Sequence, residues 1–579
     1  MLELDGYRKT DVLVVGTGAA GCRAAIEAAE YGADVALVSK GAYGRSGTTN
    51  MAEVVYAAGL AHTDRNDKPW YHFEDTVVEG HWLGDQRLIK ILADEAPKTV
   101  YDLERYGVPW YRMEDGKYYY QLPTPGHRYD RGVHFDERTG RKVQDALVKE
   151  VNKHVKIHPQ SDMMVVGLLV DDGRLVGASA IDLHRGKLVI YETKAVILAT
   201  GGAGMMYQVN DMERGSTGDG IAMAYRAGAE LIAPEMHQFF PTAFVWPETM
   251  RGTIVTTSNL WVFGLRMYNA LGERFMERYD PVEKENVPRD VLTQCIFREI
   301  VEGRGTEHGG VWLDATNIEG WDRLRRDRAR SYIWPAKLGV NTDRFEIAPT
   351  YHFTMAGIRI DTDAQTNIDG LYAAGEVVGG IHGANRIGGN ALPECLAFGA
   401  IPGRHAALAE RPNPIVSDGM VKDEMRRLTK LLVPRREGDL RPVDVLRELQ
   451  QIMYRHVGIV RDADSLREGI DNIERLCHED MPRVGVGAGK VFNWEWIWTI
   501  ELDCMLEQAK IYAQAALIRT ESRGAHYRSD YPEVDNENWL RNIVVRKEAG
   551  EPHYYQEPVE FPYIAPDDAR RGNQSIGVP

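Results

Sequence analysis

Residues Asp11 to Lys40 read "DVLVVGTGAAGCRAAIEAAEYGADVALVSK", and the order of residue types in this stretch decides the fold. A short apolar run rich in valine leads into glycines, an alanine-rich segment with helical spacing follows, and a second apolar run closes the unit. This reads as strand, turn, helix and parallel strand. Gly16, Gly18 and Gly21 fall on the G-x-G-x-x-G spacing of dinucleotide-binding turns. The first permits the turn, the second lets a pyrophosphate approach the backbone, and the third lets helix and strand pack closely. Ala19 and Ala20 open the helix, where free amides and the macrodipole suit an anion. The second strand ends in Ser39-Lys40, not in the acidic residue that often holds a ribose, which leaves Ser39 to bond a ribose hydroxyl.

Two later segments repeat the strand-to-glycine junction. "AVILATGGAG" carries Ala199, Thr200, Gly201 and Gly202, and "GSTGDGIAMAYRAGAEL" after it sets Asp219 at the start of a helix. "GLYAAGEVVGG" places Glu376 beside a third glycine turn. Three such junctions predict an α/β, Rossmann-like fold whose sheet is completed late in the chain, around an inserted lid. Residues 1–235 and 347–410 are read as the two parts of the dinucleotide-binding domain, and 236–346 as an inserted α+β capping domain. Residues 411–528 are read as a helical domain, because apolar residues recur there at helical spacing. Residues 529–579, rich in proline, tyrosine and charge, read as an irregular arm.

Composition removes several function classes. A chain of 579 residues is too long for a single core. Its net charge of −16 argues against nucleic acid as the main partner. No apolar run approaches the roughly 18 residues of a membrane span, and "MLELDGYRKT" lacks the apolar core of a signal peptide. The expectation is a cytoplasmic protein with no direct membrane span, any membrane association running through a partner. The five cysteines are scattered without C-x-x-C spacing, so no metal or cluster site is expected on this chain. An electron relay would lie on a partner.

Further blocks narrow the reading. "GTGAAG", "RSGTTNMAE", "EMHQFFPT", "NALGERFMERYDP", "VPRDV", "TYHFTMAGI", "GLYAAGE", "HGANRIGGNAL" and "RTESRGAHYRSDYPEVDNENW" stand in this order. The set resembles the flavoprotein subunits of succinate dehydrogenase and fumarate reductase over nearly the whole chain. L-aspartate oxidase and, more distantly, the α chain of adenylylsulfate reductase are also similar. The resemblance implies an FAD-binding domain, a capping domain and a C-terminal helical domain. It implies that Ser46, Gly47, Thr48 and Thr49 of "RSGTT", and Asn390, Ala391 and Leu392 of "GGNAL", lie along FAD. Glu376 would bond a ribityl or ribose hydroxyl. His352 and Arg386 would hold a substrate carboxylate against the flavin, a task that suits a donor imidazole and a bidentate guanidinium. An iron–sulfur subunit is the implied electron partner. Arg519, Glu521, Arg523 and His526 read as a structural ion network.

Departures from the family pattern bear on function. Gly47 stands where the respiratory enzymes carry the histidine that bonds covalently to flavin, so FAD is expected to be non-covalent. Phe240 replaces the histidine of "QFHPT". "TSNLWVFG" lines up with a cap motif whose arginine relays a proton: Thr257 is kept, Trp261 stands at the arginine, and Ser258 and Phe263 stand at the glutamates. An indole N–H does not titrate in a useful range. Arg266, Arg251 or Tyr268 could replace the relay; the substrate could carry one carboxylate and an apolar or aromatic group; or Trp261 could simply fill space. Three polar-to-aromatic replacements on one wall favour the second of these. The expected activity is reduction or formation of a C=C bond beside a carboxylate, by hydride transfer at flavin N5. The alternatives are a reaction like that of L-aspartate oxidase or adenylylsulfate reductase, or a relay or assembly subunit without its own substrate.

Overall fold

The computed structural model describes residues 2–566 apart from 53–54, 125, 136–137, 256–263, 288, 319–333, 338, 340, 342 and 413. At its centre the strand Leu4–Val15 pairs in parallel with Val35–Val38 on one side and Lys187–Leu198 on the other. Ile157–Gln160 extends the first edge, while Arg174–Asp182 and Met163–Asp171 extend the second as antiparallel strands. The late strand Leu371–Ala373 pairs in parallel with Val196–Leu198, completing the sheet from far along the chain. Both faces are covered. Leu13 and Val15 pack into one buried cluster and Val12 and Val14 into another, which is why the Val12–Val15 end of the strand reads as a continuous apolar run instead of an alternating one.

The helix Ala19–Glu30 follows the first strand and packs closely against Ala391–Leu408. Glycines make that approach possible, since a Cβ at Gly399 or Gly403 would lie 2.8 or 2.5 Å from the carbonyl oxygens of Ala20 and Ala24. The cap is a separate antiparallel sheet in the order His237–Phe244, Arg344–Thr354, Val311–Asp314 and Arg266–Tyr268. It has its own core of Phe244, Met267, Phe275, Ile296, Leu313 and Ile347.

The helices Asp418–Lys430, Pro442–His456, Ala463–Arg475 and Trp494–Ile518 form the carboxy-terminal bundle. Ser417, Asp462 and Asn493 cap three of them by accepting backbone N–H bonds. The segment read as an irregular arm instead contains a β-hairpin, Arg541–Glu548 with Glu551–Pro558, which adds to the short strand Leu231–Ile232. Its tight turn places Ala549 and Gly550 at positive φ, without the Asn-Gly signal that makes such turns legible. Among the described residues, no helix is long and apolar enough to cross a membrane.

Candidate active site

The glycines of the first turn act as their types require. Gly16 adopts φ +111°, and a Cβ there would sit 2.1 Å from the Ala199 carbonyl oxygen; one at Gly21 would sit 1.9 Å from the Gly16 carbonyl oxygen. Gly18 closes the N-terminus of its helix with no side-chain cap. The loop carrying Ser46–Thr49 lies over this turn. Gly47 is at φ +94°, 4.0 Å from the Gly18 Cα as measured from an ideal Cβ, and Thr49 Oγ1 accepts the Ala19 N–H at 3.0 Å. Thr48 shares a 3.1 Å hydroxyl bond with Ser216, and Ser39 and Ser46 face each other at 3.3 Å. Ala20 is buried in the core beneath the turn.

A second group converges below the cap. Thr200 Oγ1 is buried without a partner, and Gly201, at φ +78°, has open space where a Cβ would stand. A Cβ at Gly202 would meet Thr354 Oγ1 at 2.3 Å and Glu376 Oε1 at 2.4 Å. Glu376 accepts the Thr354 N–H at 3.0 Å, and burial pushes its carboxyl up to about 8. Asn390 stands at the N-terminus of Ala391–Leu408 but leaves the helix uncapped, because its amide is held by His72 Nε2 at 2.8 Å and by Thr76 Oγ1 at 3.1 Å. The amides of Ala391 and Leu392 therefore begin an open helix end. Two helix N-termini whose N-cap residues make no side-chain cap, an orphaned buried hydroxyl and glycine-lined approaches fit a dinucleotide carrying a polar ring system.

Lys40 and Asp219 meet each other. The Lys40 ammonium donates to Asp219 Oδ2 at 3.0 Å, Glu501 Oε1 at 2.7 Å and Thr217 Oγ1 at 2.7 Å. Burial pulls the ammonium pKa down, but the charges of Asp219 and Glu501 outweigh it and the net shift is upward. The Lys40–Glu501 contact joins the end of the second strand to the last helix of the bundle.

The residues expected to hold the substrate stand where cap and nucleotide domain meet. Arg386 and His352 are both brought here. Arg386 is buried, its guanidinium carbon 4.5 Å from the Phe353 ring centre and its Nε without a partner. Burial, and then the charge of Arg289, lower its pKa to about 10. Its backbone is held from the cap sheet, since Gln238 Nε2 donates to the Arg386 carbonyl at 2.8 Å and to Asn385 Oδ1 at 2.7 Å. His352 Nδ1 lies 2.6 Å from Asp211 Oδ2, with the Phe240 ring 5.3 Å from the imidazole. Thr257, Ser258, Trp261 and Phe263 lie outside the described residues.

Sequence reasoning gave three nearby residues no role. Arg289, in the quoted "VPRDV", opens the helix Arg289–Glu299 and stands over Phe240 at 5.2 Å; burial lowers its pKa. Glu79 accepts from Asn385 Nδ2 at 2.9 Å, and burial followed by the charge of Asp290 raises its carboxyl to about 7. Asp211 is the third. Only Arg289 carried a signal, by standing in a quoted block. Of the relay candidates, Arg266 and Tyr268 lie on the cap strand two places from that of His352, and Arg251 pairs with Glu248 at 2.8 Å. His382 is tied to Glu394 at 2.9 Å, both buried. Arg519, Glu521 and Arg523 do form a buried ion network, which Glu235 joins at 2.6 Å.

Fold and site together define a flavin-dependent oxidoreductase in which a cationic residue of the cap, Arg289, stands near Arg386 of the nucleotide domain. Residues 11–392 match the FAD binding domain family, and 446–571 match the fumarate reductase flavoprotein C-terminal family. The fumarate reductase (CoM/CoB) of Methanothermobacter marburgensis contains a chain that is 40% identical, over 93% of this chain and 97% of its own. The Mycobacterium smegmatis Sdh1 structure in complex with UQ1 superposes with a TM-score of 0.91 at 35% identity, covering 98% of this chain and 97% of that one. Adenylylsulfate reductase of Archaeoglobus fulgidus shares the fold, with a TM-score of 0.78 at 20% identity over 97% of this chain and 98% of its own. The chain belongs to the succinate dehydrogenase/fumarate reductase flavoprotein subunit family, and its cofactor is FAD.

Proposed function

We propose that this chain reduces or forms the carbon–carbon double bond of a small dicarboxylate of the fumarate and succinate type. The observation that carries the reading is a pair of enclosed guanidinium groups, Arg386 and Arg289. Neither forms an ion pair with the described residues, and each has its pKa lowered by burial. Two cations held close together, with carboxylates near but none in ion-pair contact, call for an anionic ligand with more than one acceptor group. The M. marburgensis relative, which carries the name of a fumarate reductase, supports the same substrate.

When bound, FAD supplies hydride transfer at its N5. Arg386 then grips one carboxylate, and Gln238 and Asn385 keep its turn from shifting. Arg289 faces the second end and doubles as an acid, because a guanidinium whose charged form is disfavoured gives up a proton more readily. Glu79, raised to about 7 and electrostatically coupled to Arg289, holds the proton that restores it. This supply does not use the cap motif in which Trp261 stands.

A second reading is favoured by Phe240, whose ring between His352 and Arg289 offers an apolar wall: an acid with one carboxylate and an apolar or aromatic tail. Anaerobic reoxidation of the reduced holoenzyme by fumarate, crotonate and cinnamate separates the two. Fumarate is expected to react fastest. Faster reaction with cinnamate or crotonate selects the second reading, and no reoxidation by any of them discards both.

FAD is read as non-covalent, since Gly47 has no side chain to bond it, and acid precipitation should release all the flavin into the supernatant. The expected electron partner is an iron–sulfur subunit, because the scattered cysteines offer no cluster site. Its test is co-purification of a chain with cluster absorbance from the native source.

A further inference from the structure

The turn that carries Arg386 is rich in glycine, with Gly383 at φ +59° and Gly389 at φ +79°, and such chain keeps one position only where outside contacts hold it. Several of those contacts come from one helix. Pro69–Glu79 presents His72, Asp75, Thr76 and Glu79 at i, i+3, i+4 and i+7, a polar stripe at the spacing where a helix ordinarily places apolar residues against the core. Three of the four reach the turn directly: His72 and Thr76 hold the Asn390 side chain, and Glu79 accepts from Asn385. Asp75 instead pairs with Arg128 and Arg131.

Arg131 is fully buried. Its Nε and Nη2 donate to Asp67 Oδ1 at 3.0 and 2.7 Å, and its Nη1 donates to Asp75 Oδ2 at 2.5 Å. The same Nη1 lies 2.9 Å from His127 Nδ1, and His127 Nε2 lies 2.7 Å from the Gly388 carbonyl oxygen. Every direction in this chain is forced, because a guanidinium only donates and a carbonyl only accepts. His127 Nδ1 therefore takes a hydrogen bond from Arg131, and Nε2 carries the one ring proton to Gly388. Burial, and then the charge of Arg131, lower the His127 pKa to about 3, in keeping with a neutral ring. Gly126 closes against the same turn: a Cβ there would meet Ile387 Cγ1 at 2.8 Å.

We propose that His127 is a positioning residue: it passes the fixed geometry of the Arg131, Asp67 and Asp75 cluster to the Gly388 carbonyl, two residues beyond Arg386, and so aims the guanidinium that grips the substrate. This rests on the carboxylate reading of the pocket. Gln238 fixes the other flank through Asn385 and the Arg386 carbonyl, so the guanidinium is carried between a pin from the cap and a pin from the nucleotide domain. Loss of the His127 ring frees the Gly388 carbonyl and leaves the turn to the Ala57 N–H bond on the Gly389 carbonyl at 3.0 Å, one residue further from Arg386.

The test uses the holoenzyme and succinate, with binding read from the perturbation of the flavin spectrum. His127→Leu should weaken succinate about tenfold, the scale of one buried hydrogen bond, with the change on KM and with kcat altered by less than about threefold. His127→Gln, which keeps an N–H donor for the Gly388 carbonyl, should recover most of the affinity. In an Arg386→Ala background, His127→Leu should cost little more, because a residue that acts through the guanidinium has nothing left to aim. Unchanged affinity in His127→Leu, equal weakening in the Leu and Gln variants, or full additivity with Arg386→Ala overturns the proposal. Arg386→Ala binding succinate as tightly as the parent is a separate result, which removes the carboxylate reading and takes the proposal with it. Should His127→Leu lose its flavin, selective 15N-histidine labelling of the parent decides. The His127 signal, assigned through His127→Gln, should show a neutral ring protonated at Nε2 and should shift on saturation with succinate; a proton on Nδ1, or a signal that succinate does not move, overturns the proposal.

Discussion

Arg386 is a guanidinium placed where burial makes its charge costly to keep, with an aromatic face beneath it and Glu376, Glu394 and Asp211 near it but none of them in ion-pair contact. At about 10 its pKa still leaves it charged near neutral pH, available to an anionic ligand. Arg386→Ala should weaken binding of a carboxylate substrate by about 2–5 kcal/mol while leaving flavin content intact. Substrate titration of the flavin spectrum measures this, and unchanged affinity would remove the role. Glu79 gives a second prediction, through stability. Its folded pKa of about 7 stands above the ordinary 4.5, so the fold disfavours the ionised form. Stability is undiminished below the ordinary value, falls as pH rises between the two, and stays reduced above about 7. Glu79→Gln should therefore match the parent at pH 4 and exceed it at pH 8 by on the order of 1–2 kcal/mol, after allowance for partial exposure. Thermal midpoints of the substrate-free protein at the two pH values check it, and a constant difference would mean that Glu79 does not titrate in that window.

At the scale of elements, the Lys40 cluster fastens three pieces of chain: the end of Val35–Val38, the start of Asp219–Arg226 and the helix Trp494–Ile518. Lys40→Met leaves Asp219 and Glu501 enclosed without their cation, at a cost of about 3–5 kcal/mol. Adding Asp219→Asn and Glu501→Gln should recover most of it, because neutral amides need no counter-charge. Denaturant midpoints of the single and triple variants decide the matter, and equal destabilisation in both would mean packing, not charge, is responsible. The same cluster marks the boundary of what the sequence makes legible. Gly16 and Gly21 announce themselves because φ and close approach depend on residue type alone. The Lys40 ammonium could not be read this way, since its carboxylate partners are 179 and 461 positions away. Asp211 and Glu79 were equally hidden, their partners lying 141 and 306 positions off. His352 and Arg386 were legible only because family blocks surround them. The hairpin Arg541–Pro558 was missed for a local reason, a turn built on Ala549-Gly550 and a strand whose Ile543, Val544 and Val545 are buried consecutively, without the alternation of a half-exposed strand.

Over the whole molecule, that hairpin ties the last part of the chain to its first half. Leu231–Ile232 pairs with Val544–Val545, the Asn542 amide donates to the Leu83 carbonyl at 3.0 Å, and the Gln86 amide donates to the Ile564 carbonyl at 2.7 Å. Arg519 of the buried ion network donates to the Arg541 carbonyl at 2.7 Å, so the network and the hairpin are one structure. The nucleotide domain is thus closed by chain that follows the bundle. Ending the chain after Leu540 would expose the strand at Leu231–Ile232 and remove Ile543, Val544 and Val545, fully buried side chains worth about 1.5–3 kcal/mol each. An unpaired apolar strand edge also invites association between copies. Such a truncation should give aggregated protein with little bound flavin, whereas ending the chain after Pro566 keeps every one of these contacts and should leave flavin content and thermal midpoint close to those of the parent. Soluble yield, flavin-to-protein ratio and size-exclusion profile measure the difference. A soluble, flavin-loaded protein ending at Leu540 would mean that the nucleotide domain closes without its carboxy-terminal strand.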